Sequence, residues 1–418
     1  MASELPIDFK KRSSGMRIRL MDFETNKRAI NVIAQGALTN SKRPASFIEG
    51  VYPTHLISAR DCEVTDTAGN KYVDFICGMG SNLLGYGHSL VGQAVTQAFN
   101  SGATLSLSST KEVELGEKIR EIIPFVERIK ILKSGSEGCT AAVRIARAFT
   151  GRERILTQGY SGWHDEFISL QPPAFGVVGK FPISKLIDIS QIDDGIAAVL
   201  LEPIITDYSE EHINWLRQLR AQCTKVGAVL IFDETITGLR FPNFCVANWC
   251  GVFPDMIIFG KALAGGLPIS VVGGSDKIMN CTEYFISSTF AGDRVAISAA
   301  IAVITALQRN YDLTALWRSG IVFQKSFNEI IEDVRLDGYP TRGVLSGEPM
   351  VKAIFMQEAV RAGLLFGASW FYIFPHMEKL DGILSTLKEI AMKIKVSKPR
   401  LEGLMPKSPF AQQMRESK

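Results

Sequence analysis

The sequence predicts an α/β protein whose large domain has a mostly parallel central sheet flanked by helices. Between about residues 128 and 275, short apolar runs alternate with helical patterns, as is typical of βαβ units around a buried sheet. With 418 residues, 46% of them hydrophobic, the chain can bury more than one ordinary domain. We therefore expect a large domain at 76–310 and a smaller α+β domain built from both termini, 1–75 and 311–395. Residues 396–418 are polar and are expected to form a flexible tail.

The strands of the large domain are expected where short apolar runs are bounded by Gly, Pro or polar residues. These runs lie at 128–132, 154–157, 196–201, 228–232, 256–259 and 269–272. Apolar residues at helical spacing predict core-facing helices around 142–149, 216–226, 296–307 and 380–394. Outside the main sheet, a hairpin is expected at 61–75, with its turn at 68–70.

Charge and composition argue against nucleic acid and membranes as partners. Lys plus Arg number 46 and Asp plus Glu 43, with the two signs interspersed, so no face is built for phosphodiester backbones or anionic lipid. No apolar run approaches the roughly 20 residues of a membrane helix, and the first 15 residues lack the apolar segment of a secretory signal. The seven cysteines include no CxxC pair, which predicts reduced thiols, no metal site and a cytoplasmic location.

Two charged side chains follow neighbouring predicted strands. Asp233 ends the strand in IFDETITGLR, and Lys261 follows the strand at 256–259 in FGKALAGGLPIS. The carboxyl ends of parallel strands meet at one sheet edge, where open α/β sheets bind ligands. A partly desolvated lysine can condense with an aldehyde, and a carboxylate can keep a pyridine nitrogen protonated. Singly, each residue is more simply a helix cap or a surface lysine, but the pair indicates this chemistry.

Two turns are expected at the same sheet edge. In KSGSEG, Gly135 and Ser136 open a helix after a strand, where backbone N–H groups and the helix dipole favour a phosphate, although such a turn is usually only a cap. GYSGWHDEF follows the next strand and supplies Tyr160, whose ring would stack on a flat cofactor unless it is simply a rim residue. His164 is expected to be an ordinary hydrogen-bonded loop residue.

Together, these motifs resemble the class III aminotransferases of pyridoxal phosphate fold type I, particularly the branch that contains glutamate-1-semialdehyde 2,1-aminomutase. The resemblance runs from about Pro44 to His376. Its most specific segments are LLEP (200–203), FDETITGLR (232–240), GKALAGGLP (260–268) and SGSEGCTAAVRIARAFTGR (134–152).

The resemblance implies a role for each candidate residue. Lys261 would hold pyridoxal 5′-phosphate as an internal aldimine, Asp233 would meet the pyridine nitrogen, and Tyr160 would stack on the ring. Gly135 and Ser136 would bind the phosphate.

The resemblance also implies a homodimer. The segment STFAGD at 288–293 is similar to the family segment in which a threonine, here Thr289, reaches the cofactor phosphate of the neighbouring subunit.

The sequence departs from the family at two positions, so the identity of the substrate stays open. Ser161 stands where many relatives have His, and Asp293 stands where the aminomutases usually have Asn. Arg43 would bind a substrate carboxylate or, equally, face solvent.

The predicted function is that of a pyridoxal-phosphate-dependent aminotransferase, which moves an amino group from an amino donor to a ketone or aldehyde through a Lys261 aldimine. One alternative is an aminomutase, which runs the same proton shifts without a separate donor. Another is a catalytically silent cofactor-binding protein, although the presence of both Lys261 and Asp233 argues against it. No GxGxxG or Walker A motif supports a nucleotide-binding module.

Overall fold

The computed structural model describes residues 15–171 and 173–408, with side chains from residue 22 onward. The first 14 residues of the predicted N-terminal segment and the last ten residues of the predicted tail lie outside the described residues. The chain divides into two compact units. The first unit combines the residues up to Cys77 with Ile321–Asp337 and the chain from Arg342 onward, and the second consists of Gly78–Gly320 and Gly338–Thr341.

Strands and helices are numbered in chain order. Strands β1 to β14 are Leu56–Arg60, Glu63–Asp66, Lys71–Asp74, Arg128–Leu132, Arg154–Gln158, Ile183–Lys185, Ile196–Leu201, Val229–Glu234, Met256–Phe259, Ser270–Gly274, Arg335–Tyr339, Arg342–Ser346, Leu364–Leu365 and Ser369–Phe371. Helices α1 to α14 are Gly15–Val32, Cys77–Gly80, Ser89–Asn100, Thr110–Ile122, Gly135–Thr150, Asp165–Ile168, Glu210–Val226, Val246–Cys250, Asp276–Met279, Arg294–Arg309, Leu313–Ile330, Pro349–Arg361, Phe374–Glu378 and Leu380–Ser397. Across the described ranges, none of these helices is both long enough and apolar enough to cross a membrane.

The second unit contains a seven-stranded sheet in the order β4-β10-β9-β8-β7-β5-β6. Strands β9, β8, β7, β5 and β6 pair in parallel, and β10 runs antiparallel to both β4 and β9. The predicted mostly parallel α/β sheet is therefore confirmed. Strands β8 and β9 are direct neighbours, with Glu234 paired to Phe259, so both strands end at the same sheet edge.

Burial on both faces explains why these strands read as continuous apolar runs. All six residues of β7 and all four of β9 are buried, because helices cover both faces of a parallel sheet. Helix α5 contributes Ala142, Ile145 and Ala146 to the same core, in the predicted helical register. Burying one such isoleucine stabilises the fold by about 2 kcal/mol.

The first unit contains a four-stranded sheet in the order β1-β2-β3-β13. Its antiparallel β2–β3 pair is the predicted hairpin, and Asp66 holds the turn by accepting from the backbone N–H groups of Ala68 and Asn70. Phe75 stacks between Phe366 and His376, with ring centroids 4.3 and 4.5 Å away. The core beside the hairpin is therefore aromatic.

His376 is buried in this aromatic core as a neutral ring. Its Nδ1 accepts from the backbone N–H of Ile373 at 3.2 Å, and its Nε2 lies 3.1 Å from the Asp74 carbonyl oxygen. Burial lowers the pKa of His376 to about 3, because the charged form would lose its hydration. The neutral ring then carries its proton on Nε2 and donates it to Asp74.

The start of the predicted tail is attached to the first unit. Helix α14 continues to Ser397, and the Gln357 side chain bonds to the Arg400 carbonyl and the Glu402 N–H. Glu402 also pairs with Arg361. The segment around Arg400 and Glu402 bonds to Gln357 through its backbone groups. Such contacts do not depend on side-chain type, so the sequence of this segment shows no helix or strand periodicity.

Candidate active site

A cavity of about 340 Å³ opens at the carboxyl edge of the parallel strands, entirely within the second unit. This is the edge where open α/β sheets bind ligands. Its volume lies in the usual range for small-molecule sites. Five of the sequence-predicted site residues line it together, namely Gly135, Ser136, Tyr160, Asp233 and Lys261.

Asp233 is held in a fixed orientation at the end of β8. The residue is 6% exposed. Its Oδ1 accepts from the Thr235 backbone N–H at 3.0 Å, and its Oδ2 accepts from Cys139 Sγ at 3.3 Å. Burial, with the charge and hydrogen bond of Asp233, holds the pKa of the Cys139 thiol well above its usual range. The sulfur therefore keeps its proton and is the donor.

Glu234, the neighbouring carboxyl, serves the structure of the unit. Its two oxygens accept from the backbone N–H groups of Val246 and Ala247 at the start of α8, at 2.8 and 3.1 Å, and from the Thr237 hydroxyl at 3.0 Å. Burial raises the pKa of Glu234 to about 7. Alternation along the strand thus sends Asp233 toward the cavity and Glu234 into the α8 contact.

Lys261 lies two residues beyond the end of β9 and begins a short 3₁₀ turn, Lys261–Ala264. Its backbone has φ of +40°, a left-handed conformation that costs a non-glycine residue about 1–2 kcal/mol. Such strain persists where the surrounding structure enforces it, and it concentrates at functional sites. The three residues after Lys261 are buried, which fixes the backbone that carries the lysine.

The turn at the start of α5 presents free backbone donors to the cavity. Ser134 and Glu137 form a reciprocal capping box, and Glu137 also accepts from the Lys133 N–H at 2.7 Å. Within the described part of the chain, the N–H groups of Gly135 and Ser136 have no protein acceptor. A helix start with two open donors stabilises an anion.

The Tyr160 loop lies directly against this turn. Gly162 has φ of +103°, and a Cβ built on it would lie 2.4 Å from Ser136 Oγ and 2.7 Å from Ser136 Cα. Only glycine combines this conformation with this approach. Tyr160 is 45% exposed, so one part of its ring remains open to a ligand. Ser161 is buried and its hydroxyl lies 3.0 Å from Thr157 Oγ1.

Other residues discussed from the sequence lie elsewhere. His164 Nδ1 lies 2.9 Å from Thr140 Oγ1, as expected for a hydrogen-bonded loop histidine. Thr289 is exposed and is not among the residues lining the cavity. Arg43 belongs to the first unit, where its backbone N–H donates to Asn40 at 3.1 Å. The roles assigned to Thr289 and Arg43 stay predictions.

Sequence reasoning missed several cavity residues. Lys133, Glu202 and Thr235 line the cavity. Lys133 directly follows β4 and Glu202 directly follows the buried β7, so position after a strand was the signal for both. Cys139 gave no such signal, because its contact with Asp233 joins positions 94 residues apart.

A family model described as aminotransferase class-III matches residues 49–173 and 179–381. The chain belongs to the class-III aminotransferases. It is 30% identical over 316 residues to the 3-aminobutyryl-CoA aminotransferase of Cloacimonas acidaminovorans, covering 72% of this chain and 76% of that protein. It is 31% identical over 312 residues to the glutamate-1-semialdehyde 2,1-aminomutase of Acetivibrio thermocellus, covering 68% and 73%.

The fold is shared with solved structures at lower identity. FumI from Sphingopyxis sp. MTA144, solved in its PLP internal aldimine form, superimposes with a TM-score of 0.83 over 93% of this chain and 99% of that one, at 21% identity. The predicted fold type I architecture is therefore confirmed. As a class-III aminotransferase, the protein is an enzyme of pyridoxal-phosphate-dependent amino transfer.

The cavity residues fit that cofactor. Gly135 and Ser136 offer open N–H groups for a phosphate, and Asp233 has lone pairs left for a protonated ring nitrogen. The Thr235 hydroxyl is buried at the cavity and has no hydrogen-bond partner within the described residues, so a polar ligand would satisfy it.

Proposed function

We propose that Lys261 and Asp233 are the catalytic residues of this aminotransferase and that Gly135, Ser136 and Tyr160 bind its pyridoxal phosphate. The observation that carries the proposal is the adjacency of β8 and β9, which bring a buried carboxylate and a lysine to one cavity. The anion-binding turn and an open aromatic face line the same cavity. This combination matches the needs of a phosphorylated aromatic aldehyde.

When bound, pyridoxal phosphate supplies an aldehyde that condenses with amines and a ring that accepts the electron pair of a broken C–H bond. Lys261 Nζ would hold the aldehyde until a donor amine replaces it. The released Nζ would then act as a base that takes a proton from the donor carbon. It would afterwards act as an acid that gives this proton to the carbon of the former aldehyde group. Asp233 would keep the ring nitrogen protonated, because a buried carboxylate favours a nearby positive charge.

The remaining groups would orient the cofactor. The open N–H groups at the α5 start and the helix dipole stabilise the phosphate end. Tyr160 would cover one ring face and limit the access of water there. Because Asp233 is fixed and the Lys261 backbone is held in place, both residues would receive the cofactor without rearrangement, which lowers the cost of binding.

The test is an absorbance titration of the purified protein with a panel of amino donors. We expect a donor to bleach the cofactor band of the wild type, and a ketone or aldehyde acceptor to restore it. Lys261→Ala should lack the band of the lysine-bound cofactor, whereas Lys225→Ala, at an exposed lysine of the same unit, should behave as wild type. Absence of any bound cofactor in the wild type would overturn the proposal.

An aminomutase is the second candidate, and the matches to glutamate-1-semialdehyde 2,1-aminomutases favour it. An aminomutase needs no separate donor, because its substrate both gives and receives the amino group. Incubation with glutamate semialdehyde alone separates the two functions. Sustained turnover would support the aminomutase, whereas turnover that requires a separate donor would support the aminotransferase.

We further propose a cytoplasmic homodimer in which Thr289 reaches the partner's cofactor phosphate. The exposure of Thr289, outside the cavity of its own chain, supports the contact with a partner. The seven free cysteines support the cytoplasmic location. Light scattering should give twice the chain mass. Thr289→Ala should weaken cofactor binding in the dimer without dissociating it, and a monomeric wild type would contradict the proposal. Cell fractionation should place the protein in the cytoplasm.

A further inference from the structure

A second lysine, Lys133, lines the same cavity as Lys261. It is the last residue before the Ser134 cap of α5, two residues before the first open N–H group. Its side chain is 18% exposed, and its Nζ lies 2.8 Å from Asp293 Oδ2. The ammonium is therefore largely withdrawn from water and held at one place.

Asp293 is itself fixed from the other side. Its Oδ1 accepts from the Val295 backbone N–H at 2.9 Å as the N-cap of α10, and its side chain is 20% exposed. The carboxylate thus bridges the α10 start and Lys133. Because the pair is partly desolvated, its ions interact more strongly than an exposed pair does.

We propose that Lys133 is a further binding residue for the cofactor phosphate, and that Asp293 competes with the phosphate for its ammonium. This inference rests on the proposed function, since it assumes that the phosphate lies at Gly135 and Ser136. Three observations support it. Lys133 lies two residues before the first open donor, its side chain lines the cavity, and its ammonium carries the charge that a phosphate seeks.

Lys133 and Asp293 would have opposite effects on phosphate binding. Lys133 attracts the dianion, whereas Asp293 repels it and draws on the same ammonium. Loss of Lys133 would leave Asp293 as an unpaired carboxylate near the phosphate. Loss of the Asp293 charge would leave the Lys133 ammonium to interact with the phosphate alone. A residue that merely supports the fold would not produce this difference in sign.

The experiment compares pyridoxal 5′-phosphate with unphosphorylated pyridoxal, because only the first carries the group that Lys133 would bind. Apoprotein of the wild type, Lys133→Gln, Asp293→Asn and the double variant would be titrated with each aldehyde. We expect Lys133→Gln to weaken pyridoxal phosphate binding by about tenfold or more, the scale of a lost charge-assisted hydrogen bond. Pyridoxal binding should be unchanged.

Asp293→Asn should bind pyridoxal phosphate as tightly as the wild type or more tightly, because asparagine can still cap α10. The double variant should lie between the two single variants. Lys225→Gln is the matched control for loss of a positive charge and should leave both aldehydes unaffected.

Several outcomes would overturn the inference. Equal losses for both aldehydes in Lys133→Gln would indicate a change in cavity shape, and unchanged cofactor affinity with a raised donor KM would assign Lys133 to the substrate. If Lys133→Gln does not fold, weaker pyridoxal phosphate binding by Asp293→Asn would refute it by the sign alone. A wild type that binds neither aldehyde would instead refute the proposed function.

Discussion

Gly162 offers the sharpest test of how the cavity is built. Gly162→Ala would place a Cβ 2.4 Å from Ser136 Oγ and 2.7 Å from Ser136 Cα. The left-handed backbone alone costs an alanine about 1–2 kcal/mol. The contact with the Ser136 backbone adds about 1–3 kcal/mol, as for other overpacked sites. The Tyr160 loop must therefore move away from the turn that begins α5.

Gly176 supplies a matched control. It also has positive φ, +83°, but a Cβ there would meet nothing within 4 Å. Gly176→Ala thus pays the backbone cost without the contact. We expect Gly162→Ala to bind pyridoxal phosphate about 5- to 150-fold more weakly than Gly176→Ala, the equivalent of the contact alone.

Titration of the two apoproteins with the cofactor, alongside thermal denaturation, measures this difference. If Gly162→Ala binds the cofactor as tightly as Gly176→Ala, the loop and the turn do not form one binding surface, and the reasoning is refuted.

Two other predictions concern the Asp233 carboxylate and the aromatic core. Cys139→Ala removes the thiol donor to Asp233 Oδ2, so the reaction with the amino donor should slow by about fivefold in stopped-flow measurements, the equivalent of about 1 kcal/mol. Cys139→Ser should restore much of that rate. An unchanged rate in Cys139→Ala would show that the thiol has no part in the reaction. His376 has a folded-state pKa of about 3, below the ordinary histidine value of 6.5, so the unfolded chain binds more protons between these values. Its contribution to stability is present above pH 6.5 and is lost as the pH falls toward 3, by at most about 5 kcal/mol. Urea unfolding of the wild type and His376→Gln across this range should show a steeper acid loss in the wild type, and parallel curves would count against the buried neutral ring.

Much of the second unit could be read from the sequence because its strands are buried on both faces. Continuous apolar runs marked β7 and β9 with the bounds that the structure has, and the alternating run Arg128–Leu132 marked β4 with its bounds. Strand β6 was missed, because it has three residues of which one is buried. A strand that short leaves no apolar run to detect.

The candidate site was predictable where function follows position along a strand. Asp233 and Lys261 stand just after apolar runs, so their convergence followed from parallel pairing. The Lys133–Asp293 ion pair joins residues 160 positions apart, and no local pattern announces it. Cys139 is buried in the core, and its hydrogen bond to Asp233 depends on how α5 packs on the sheet.

The central claim is that Lys261, and not the neighbouring Lys133, carries the cofactor. Both lysines line the cavity, but Lys261 follows β9, the strand paired with the Asp233 strand β8. Borohydride reduction of the purified protein with bound pyridoxal phosphate, followed by peptide mass mapping, distinguishes them. We expect the pyridoxyl mass on the peptide that contains Lys261 and its loss from that site in Lys261→Ala. Labelling of wild-type Lys133 or of any other lysine in place of Lys261 would contradict the account.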